Sequence, residues 1–483
     1  MKKYVLYLSA LITIAVTGCR KIEMDGEKEI VIINGGGSSS TGKTVTLSGR
    51  ITKDTTLLKA DNNFIKGPVY ITKGVTLTIE KGATVKGTYT GADVAFLVIS
   101  RGGKIIAQGS ADEPIVFTSA SPNPQSGDWG GIVICGTAPI NTSTLGTQGL
   151  YEVEGGINNS NGDGFAGSGD AAFPTGNSND NSGTLSYVRI EYAGYAFQPD
   201  KEINSLTMAG VGSGTTIDHI QVTYAKDDAY EWFGGTVNCK YLIAFKTQDD
   251  DFDTDNGYSG MVQFGLIIRD SSIADISNSE AFESDNNSGG TIATPKTSAI
   301  FSNVTAIGPR ATTSNIGNSL FRGATHIRRN TAISIFNTII MGWPRGIEID
   351  ATTGTSTALN IEDSSLRLRN ITIAGCATST RFSGTVGATI NNDAAFASWF
   401  TNAFYNNDIL VNNSDVKLIQ PFNYTAPDPT PFGGSNGNQK VLNGASFTDS
   451  KLNNTFFKAV TFRGAVGAAG DDQTWWKGWT RWN

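Results

Sequence analysis

The sequence predicts an all-β protein built as a solenoid, in which short parallel strands stack coil upon coil. Two observations carry this prediction: the composition, and an internal repetition of strand-like segments. The chain has 483 residues, of which 57 are Gly and only 17% are charged. Such a composition disfavours long helices and favours short strands joined by turns. The net charge of -7 also excludes a basic nucleic-acid-binding protein.

The repetition has the length of one coil. Residues 77–87 (LTIEKGATVKG) resemble residues 97–109 (LVISRGGKIIAQG) at an offset of 20 to 22 residues. In a second echo, Asn303, Asn337 and Asn370 each open a short apolar segment that ends in Gly, at offsets of 34 and 33. Short strands at this spacing, without amphipathic helices between them, are typical of a parallel solenoid. A β-sandwich is the rival fold, but matched positions favour the solenoid, with the Asn amides stacked at one turn.

The N-terminus carries a targeting signal. Two lysines precede an apolar run, and residues 16–19 (VTGC) resemble the bacterial lipobox, in which the Cys is diacylated. We therefore predict a lipoprotein signal peptide over residues 1–18, lipidation of Cys19 and a flexible tether over residues 19–43. No later segment has the roughly 20 apolar residues of a spanning helix, so the predicted membrane contact is through lipid. Acidic residues soon after Cys19 favour the outer membrane and its cell-surface side, with the periplasmic side as the alternative.

The body of the solenoid is predicted over residues 44–395, with a Gly- and Asn-rich loop at about 141–183. Loops of this length are usually functional or disordered. A C-terminal helix and a Trp-rich cap are predicted over residues 396–483, because a solenoid needs covered ends. The aromatic residues behind this prediction are Phe396, Trp399, Phe400, Phe404, Trp475, Trp476, Trp479 and Trp482. We interpret the four terminal tryptophans as a plug on the last coil, and the alternative is a sugar-stacking platform.

Several strings taken together resemble one known group. They are residues 127–141 (GDWGGIVICGTAPIN), 186–194 (SYVRIEYAG) and 227–235 (DDAYEWFGG), with the Trp-rich terminus. The chain resembles the right-handed parallel β-helix surface lipoproteins of Bacteroidetes, some of which are labelled multidrug transporters. The resemblance implies a right-handed parallel β-helix with long corner loops and a membrane-anchored location. It supplies no catalytic residues, and the lack of a spanning segment does not fit a transporter.

Acidic residues concentrate between positions 227 and 285. Asp228 and Asp250 are 22 residues apart, about one coil, so we expect them to lie one above the other, roughly 4.8 Å apart. Carboxylates this close repel one another unless something compensates, and bound Ca²⁺ is the simplest compensation. The alternating acids of residues 251–257 (DFDTDNG) predict such a site. Its predicted ligands are Asp249, Asp251, Asp253 and Asp255.

Three interpretations of the acidic stretch remain open. In the first, the carboxylates are structural: they cap turn N–H groups and bind Ca²⁺. In the second, the stretch is a glycan-binding face, where aromatic rings stack on sugars and carboxylates accept hydrogen bonds from hydroxyls. The predicted ligand-binding residues are Asp227, Asp228, Tyr230, Glu231, Trp232, Phe252 and Tyr258, with Phe233 as a further ring.

The third interpretation is an enzyme, either a polysaccharide lyase or a glycoside hydrolase. Its catalytic candidates are Asp228, Asp249 and Asp250. The pair Asp249 and Asp250 weakly resembles the paired aspartates of polygalacturonases, where one carboxylic acid protonates the leaving oxygen and another carboxylate activates water. The Gly-His-Gly and Arg-Ile-Lys strings of those enzymes are missing. We therefore favour a lipid-anchored glycan-binding or scaffold protein with structural Ca²⁺ over an enzyme.

The histidines and the nearby arginines carry little weight in this choice. His219 and His326 have no evident partners in the sequence, and we interpret His219 as structural. Arg322, Arg328 and Arg329 cluster around His326. We interpret these arginines as solvated charges at turns.

Overall fold

The computed structural model describes residues 30–34 and 42–482, apart from residues 92, 93, 199, 200, 313, 316 and 385–388. The predicted signal peptide, Cys19 and much of the predicted tether lie outside the described residues. None of the helices in the described part is long and apolar enough to cross a membrane.

The chain winds into a right-handed parallel β-helix, as predicted. Each coil adds strands to three faces, and each strand pairs in parallel with the matching strand of the next coil. Side chains alternate between the interior and the outside along every strand. Leu206, Tyr230, Phe252 and Phe282 follow one another in register and are fully buried, as is typical of the stacked interior. The core therefore exists only because neighbouring coils cover each other.

Face 1 holds the cleft described below. Its strands are Phe96–Ile99, Ile132–Cys135, Leu206–Ala209, Tyr230–Phe233, Phe252–Asp255, Ser279–Ser284, Phe321–Ile327, Arg345–Asp350 and Thr378–Ser383. Thr44–Ile51 and Asn62–Ile71 each run from face 3 into face 1.

Faces 2 and 3 share their strands in the middle coils. The strands that bend from face 2 into face 3 are Gly183–Glu191, Thr216–Thr223, Asn238–Phe245, Met261–Ile268 and Ile300–Ile307. Separate face 2 strands are Thr55–Leu57, Thr76–Ile79, Lys104–Gln108, Ser334–Phe336 and Arg367–Arg369. Separate face 3 strands are Thr84–Gly87, Ile115–Ser119, Ile339–Met341, Thr372–Ala374 and Asp408–Leu410.

Short strands and helices are attached to this solenoid body. Four antiparallel pairs lie in loops: Ser143–Thr144 with Thr147–Gln148, Leu150–Glu152 with Phe165–Gly167, Ala196–Gln198 with Lys201–Glu202, and Leu418–Gln420 with Asp428–Pro431. The helices are Thr357–Glu362, Asp393–Phe400, Gln439–Asn443 and Asp471–Thr474, with 3-10 turns at Ala403–Tyr405, Asn413–Val416, Gly434–Asn436 and Ser450–Leu452.

A column of left-handed residues makes the bend between faces 2 and 3. It includes Tyr187, His219, Tyr241, Phe264, Asn303, Asn337 and Asn370, whose φ angles lie between 50° and 64°. The predicted common turn of the three Asn residues is therefore confirmed, since Asn tolerates this conformation. The amides differ in their partners. Asn370 accepts a hydrogen bond from the Asn406 amide (3.0 Å), whereas Asn303 and Asn337 bind the backbone of Phe462 and Ser446.

The two ends of the solenoid are covered. Ile30–Asn34 pairs antiparallel with the start of Thr44–Ile51, so the prediction of a flexible tether is wrong for these five residues. Their β-branched side-chain types favour a strand, and the edge of the first coil offers a partner. The predicted C-terminal helix is present as Asp393–Phe400, with Phe396 and Phe400 fully buried in the core. Phe404, which was predicted to share its apolar face, lies beyond its end in a 3-10 turn and is exposed.

The terminal tryptophans do not plug the last coil. Residues 444–482, called the C-terminal strap below, run back along the bend of faces 2 and 3. Trp479 packs edge-on against Tyr187 and Trp475 lies 5.1 Å from Tyr241 between ring centroids, both in the middle coils. The amide of Gln221 pairs with both backbone groups of Arg481 (2.7 and 2.8 Å). The strap goes there because the outward side of these coils is apolar and needs cover.

Candidate ligand-binding cleft

One outward-facing column of face 1 changes character along the solenoid. Its members in successive coils are Val98, Val133, Thr207, Glu231, Asp253, Glu283, His326 and Glu348, all in register. The column is apolar at Val98 and Val133, and from Glu231 onwards it is acidic except at His326. Because parallel strands lie about 4.8 Å apart, residues far apart in sequence become close neighbours in this column.

The long loop at 141–183 covers the apolar part of the column. Its Val153 and Ile157 pack in one buried cluster with Val98 and Val133 of face 1. Polar contacts also hold the loop, among them Arg50 with Asp163 (2.6 Å) and Arg101 with Asp170 (2.6 Å), with Tyr70 donating to the carbonyl of Ile157 (2.7 Å). The loop is thus a packed cover, and face 1 is open where the acids begin.

A cleft of about 300 Å³ lies at this boundary. Its carboxylates are Glu154, Glu202, Asp227, Asp228, Glu231, Asp249, Asp250, Asp253 and Glu283, and its other polar residues are Asn204, Ser277, Asn278 and Arg328. Glu154 comes from the long loop and meets the cleft floor through Asn204, whose amide lies 3.3 Å from its carboxylate and also donates to Glu231. Carboxylates therefore greatly outnumber cationic side chains in the described lining of the cleft.

A ladder of hydrogen bonds holds one corner of the cleft. The Asn204 side chain accepts from the N–H of Asp228 (3.2 Å), Asp228 accepts from the N–H of Asp250 (2.8 Å), and Asp250 accepts from the N–H of Glu280 (2.6 Å). The predicted stacking of Asp228 and Asp250 is therefore confirmed. One oxygen of each carboxylate serves the backbone of the next coil, which is the capping function expected of Asp at turns.

Carboxylates converge in two overlapping groups suited to a cation. Asp227, Asp228 and Asp249 each offer an oxygen within 4.8 Å of the others, and Asp228, Glu231 and Asp253 do the same. Oxygens on opposite sides of a Ca²⁺ ion are about 5 Å apart, because each lies 2.3–2.6 Å from the ion. The donor sets therefore fit a hard cation.

The predicted calcium ligands do not form one set. Asp251 has no exposed surface and faces the interior, where it pairs with Arg269 at 3.1 Å. Asp253 is on the opposite side of the strand from Thr254 and faces outward. The prediction of Asp249, Asp251, Asp253 and Asp255 as joint ligands is wrong, because Asp251 lies at the corner before the strand Phe252–Asp255, where strand alternation does not apply and the side chain turns inward to Arg269.

Burial dominates the electrostatics of the cleft. It raises the pKa of Asp249 to about 7, and it raises the pKa values of Asp228, Asp250 and Glu231 well above their usual range, with the neighbouring carboxylates adding to the effect. Desolvation and like charge both disfavour the ionised form. The cleft therefore favours protons or bound cations.

Asp253 and Glu283 differ in their ionisation although they are register partners. Burial, then the charges of Glu283 and Asp255, raise the pKa of Asp253 well above normal. Burial also acts on Glu283, but the His326 hydrogen bond and the Arg328 charge outweigh it, so the pKa of Glu283 is lowered. The two environments therefore push the pKa values of these neighbouring carboxyl groups apart.

The aromatic part of the predicted ligand face is wrong. Tyr230, Trp232, Phe252 and Tyr258 have no exposed surface and belong to the interior core. Trp232 stacks on Tyr258 with centroids 5.3 Å apart. These rings alternate with Glu231 and Asp253, so the carboxylates face the cleft because the rings face inward. Phe233 is also buried, beneath Tyr151 of the long loop.

The arginines around His326 are not solvated turn charges, contrary to prediction. Arg328 binds Glu283 and Asp285, the latter at 2.9 Å. Arg322 binds Glu348 at 3.1 Å, and His326 lies 3.1 Å from Asp350. These pairs join neighbouring coils of face 1.

The other histidine is structural, as interpreted. His219 is stacked between Tyr187 and Tyr241, at centroid distances of 4.2 and 4.3 Å.

Glu154, Glu202, Asn204 and Glu283 were missed as site residues. Because Phe282 is apolar and faces the interior, alternation along the strand predicts that Glu283 faces outward. Asn204 precedes Asp228 by about one coil length, so the spacing predicts that the two residues stack. Glu154 carries no such signal, because it comes from a loop.

A comparison with protein families agrees with this geometry. Residues 49–413 match the model of the pectate-lyase like beta helix domain. The chain belongs to this family. No curated protein and no solved structure matches this pectate-lyase-like β-helix protein at a significant level. The family fits a polysaccharide-related function.

Proposed function

We propose that this protein is a lipid-anchored cell-surface protein that binds glycans in the acidic cleft. The single observation that supports this most is the change along face 1, which is apolar under the long loop and acidic where it is open. Carboxylates and amides that line a cleft accept and donate the hydrogen bonds that sugar hydroxyls need. Family membership supports a carbohydrate as the ligand class.

We also propose that the cleft binds Ca²⁺ through Asp227, Asp228 and Asp249. Three converging carboxylates with raised pKa values are electrostatically unsatisfied, and a divalent cation would relieve their repulsion. The ion would hold the corner of the cleft and offer a coordination position to sugar oxygens.

Binding to immobilised polysaccharides tests the main proposal. Neutral and acidic polysaccharides are incubated with the protein in Ca²⁺ and in EDTA. We expect retention on at least one of them, weakened at least tenfold by EDTA and by Asp228→Asn or Asp249→Asn. Asp471→Asn, an exposed carboxylate in the C-terminal strap, is the matched control and should bind as the wild type does. Equal retention of all four proteins would contradict a role for the cleft.

Lipid anchorage has its own test. Cys19→Ala should move the protein from the membrane fraction to the soluble fraction of the cells that produce it. Unchanged fractionation would contradict lipidation and leave the glycan proposal standing.

Glycan hydrolysis is the second candidate, favoured by one observation. Asp253 and Glu283 are adjacent carboxyl groups whose environments push their pKa values apart, which suits a proton donor beside an ionised carboxylate. Of the earlier candidates, Asp228 and Asp250 are engaged in the corner ladder. New reducing ends from a retained polysaccharide, lost in Glu283→Gln, would support hydrolysis; retention without cleavage would support binding alone.

A further inference from the structure

Charge is distributed unevenly along the solenoid. The first three coils, residues 43–119, contain ten Lys and Arg against six Asp and Glu. Residues 120–483 contain 22 Lys and Arg against 34 Asp and Glu. The protein is therefore basic at its N-terminal end and acidic elsewhere, including the cleft.

The basic residues of the first coils also differ from those in the rest of the chain in residue type and in exposure. Eight of the ten are exposed lysines: Lys43, Lys53, Lys59, Lys66, Lys73, Lys81, Lys86 and Lys104. Lys59 and Lys81 share Glu113, at 2.7 and 2.6 Å. Elsewhere, by contrast, Arg269 of a later coil and Arg463 of the C-terminal strap are fully buried in ion pairs. The charge of the first coils is thus offered to the outside.

These lysines surround the end of the solenoid. Lys53 lies at the corner between faces 1 and 2, and Lys66 lies within the strand that runs from face 3 to face 1. Lys86 belongs to a face 3 strand and Lys104 to a face 2 strand. A ring of this kind suits a partner that meets the end of the solenoid, as a flat surface does.

The chain reaches this end from the predicted anchor. Ile30–Asn34 covers the first coil, and ten residues separate Cys19 from Ile30. Even fully extended, such a segment spans only about 35–40 Å. A protein acylated at Cys19 therefore keeps its basic end, and not its acidic body, nearest to the membrane.

We propose that the first three coils dock end-on against anionic phospholipid headgroups of the membrane that holds the anchor. The inference rests on the proposed lipidation for its geometry. Headgroup phosphates attract exposed lysines within about a Debye length, and the acidic remainder is repelled. The lysine ring thus orients the solenoid upright and holds the acidic cleft away from the bilayer.

Lysine acetylation of the membrane-bound protein tests the orientation. Lys53, Lys66 and Lys73 are expected to react at least threefold more slowly on membranes than after release in detergent. Lys417, Lys440 and Lys458, which are exposed and lie beside the later coils, should react equally in both states. Equal rates for both sets in both states would overturn the proposal.

A second experiment does not depend on acylation. The full chain with Cys19→Ala is sedimented with vesicles of phosphatidylcholine, alone or with 30% phosphatidylglycerol. The phosphatidylcholine vesicles measure any binding through the apolar N-terminal residues. We expect about tenfold more binding with phosphatidylglycerol, lost in 0.5 M NaCl and in the triple variant Lys53→Glu, Lys66→Glu, Lys73→Glu. The matched triple variant Lys417→Glu, Lys440→Glu, Lys458→Glu, whose lysines lie beside the later coils, should keep it.

The two arms separate the possible failures. If phosphatidylglycerol gives no added binding, or if both triple variants lose it equally, the docking surface is wrong even when Cys19 is acylated. If Cys19→Ala leaves cell fractionation unchanged, the anchor is wrong, while the vesicle result still reports on the lysine ring.

Discussion

Asp228 and Asp250 lie one coil apart, and the carboxylate of Asp228 accepts a hydrogen bond from the backbone N–H of Asp250 at 2.8 Å. The same carboxylates line the cleft. The corner ladder therefore joins two functions, since it fixes the register of adjacent coils and also assembles buried acids at one place. Their raised pKa values are the electrostatic cost of that arrangement.

Substitutions of Asp228 should separate the hydrogen bond from the charge. Asp228→Asn keeps an acceptor for the Asp250 N–H and removes a buried charge, so we expect unchanged or higher stability at pH 8 in metal-free buffer. Asp228→Ala leaves that N–H without a partner and should lower the free energy of unfolding by about 1–3 kcal/mol. Urea unfolding measures both. Equal destabilisation by the two substitutions would contradict this account.

Stability should fall as the pH rises in metal-free buffer. Burial raises the pKa of Asp249 to about 7 and those of Asp255 and Glu280 to about 8, whereas the unfolded carboxyls titrate near pH 4. Between about pH 4 and pH 8 the folded chain holds more protons than the unfolded chain, so the free energy of unfolding decreases with pH.

Urea unfolding at pH 5, 6, 7 and 8 measures this slope. Asp249→Asn removes one of the titrating groups and should flatten it. A free energy of unfolding that rises from pH 5 to pH 8 would show that the acids are ionised without cost.

The C-terminal strap should contribute strongly to stability. Trp479 has no exposed surface and belongs to the cluster between the strap and faces 2 and 3. Trp479→Ala should cost about 3–5 kcal/mol, through lost burial and the cavity that remains. Phe404→Ala, which removes an aromatic ring that is 72% exposed, is the matched control and should change little. Thermal unfolding and proteolysis near the C-terminus provide the measurements.

The buried pair of Arg269 and Asp251 should be structural. Arg269→Met would leave Asp251 charged and without its partner in the interior, at a cost of about 3–5 kcal/mol. Adding Asp251→Asn should recover part of that loss in urea unfolding. Asp251→Asn alone should leave any Ca²⁺ affinity unchanged in calorimetry, unlike Asp228→Asn, because Asp251 does not face the cleft.

The architecture was readable from the sequence because a solenoid repeats. Asn303, Asn337 and Asn370 occupy the same turn in three successive coils, and the spacing of Asp228 and Asp250 equals the length of one coil. Local alternation along a strand also separates cleft residues from core residues. In the strand Tyr230–Phe233, Glu231 must face away from Tyr230 and Trp232. If Glu231 faces the cleft, alternation therefore places both rings in the core.

The sequence by itself determined the coil length, the class of fold and the stretch that holds the acids, because these depend on neighbours along the chain and on a regular repeat. Only the tertiary structure decided which acids meet. The entry of Glu154 through the long loop, the pairing of Arg328 with Glu283 and the path of Trp479 along the middle coils all depend on the lengths and folding of irregular segments. Such segments have no period, so their contacts are fixed by packing against the finished solenoid.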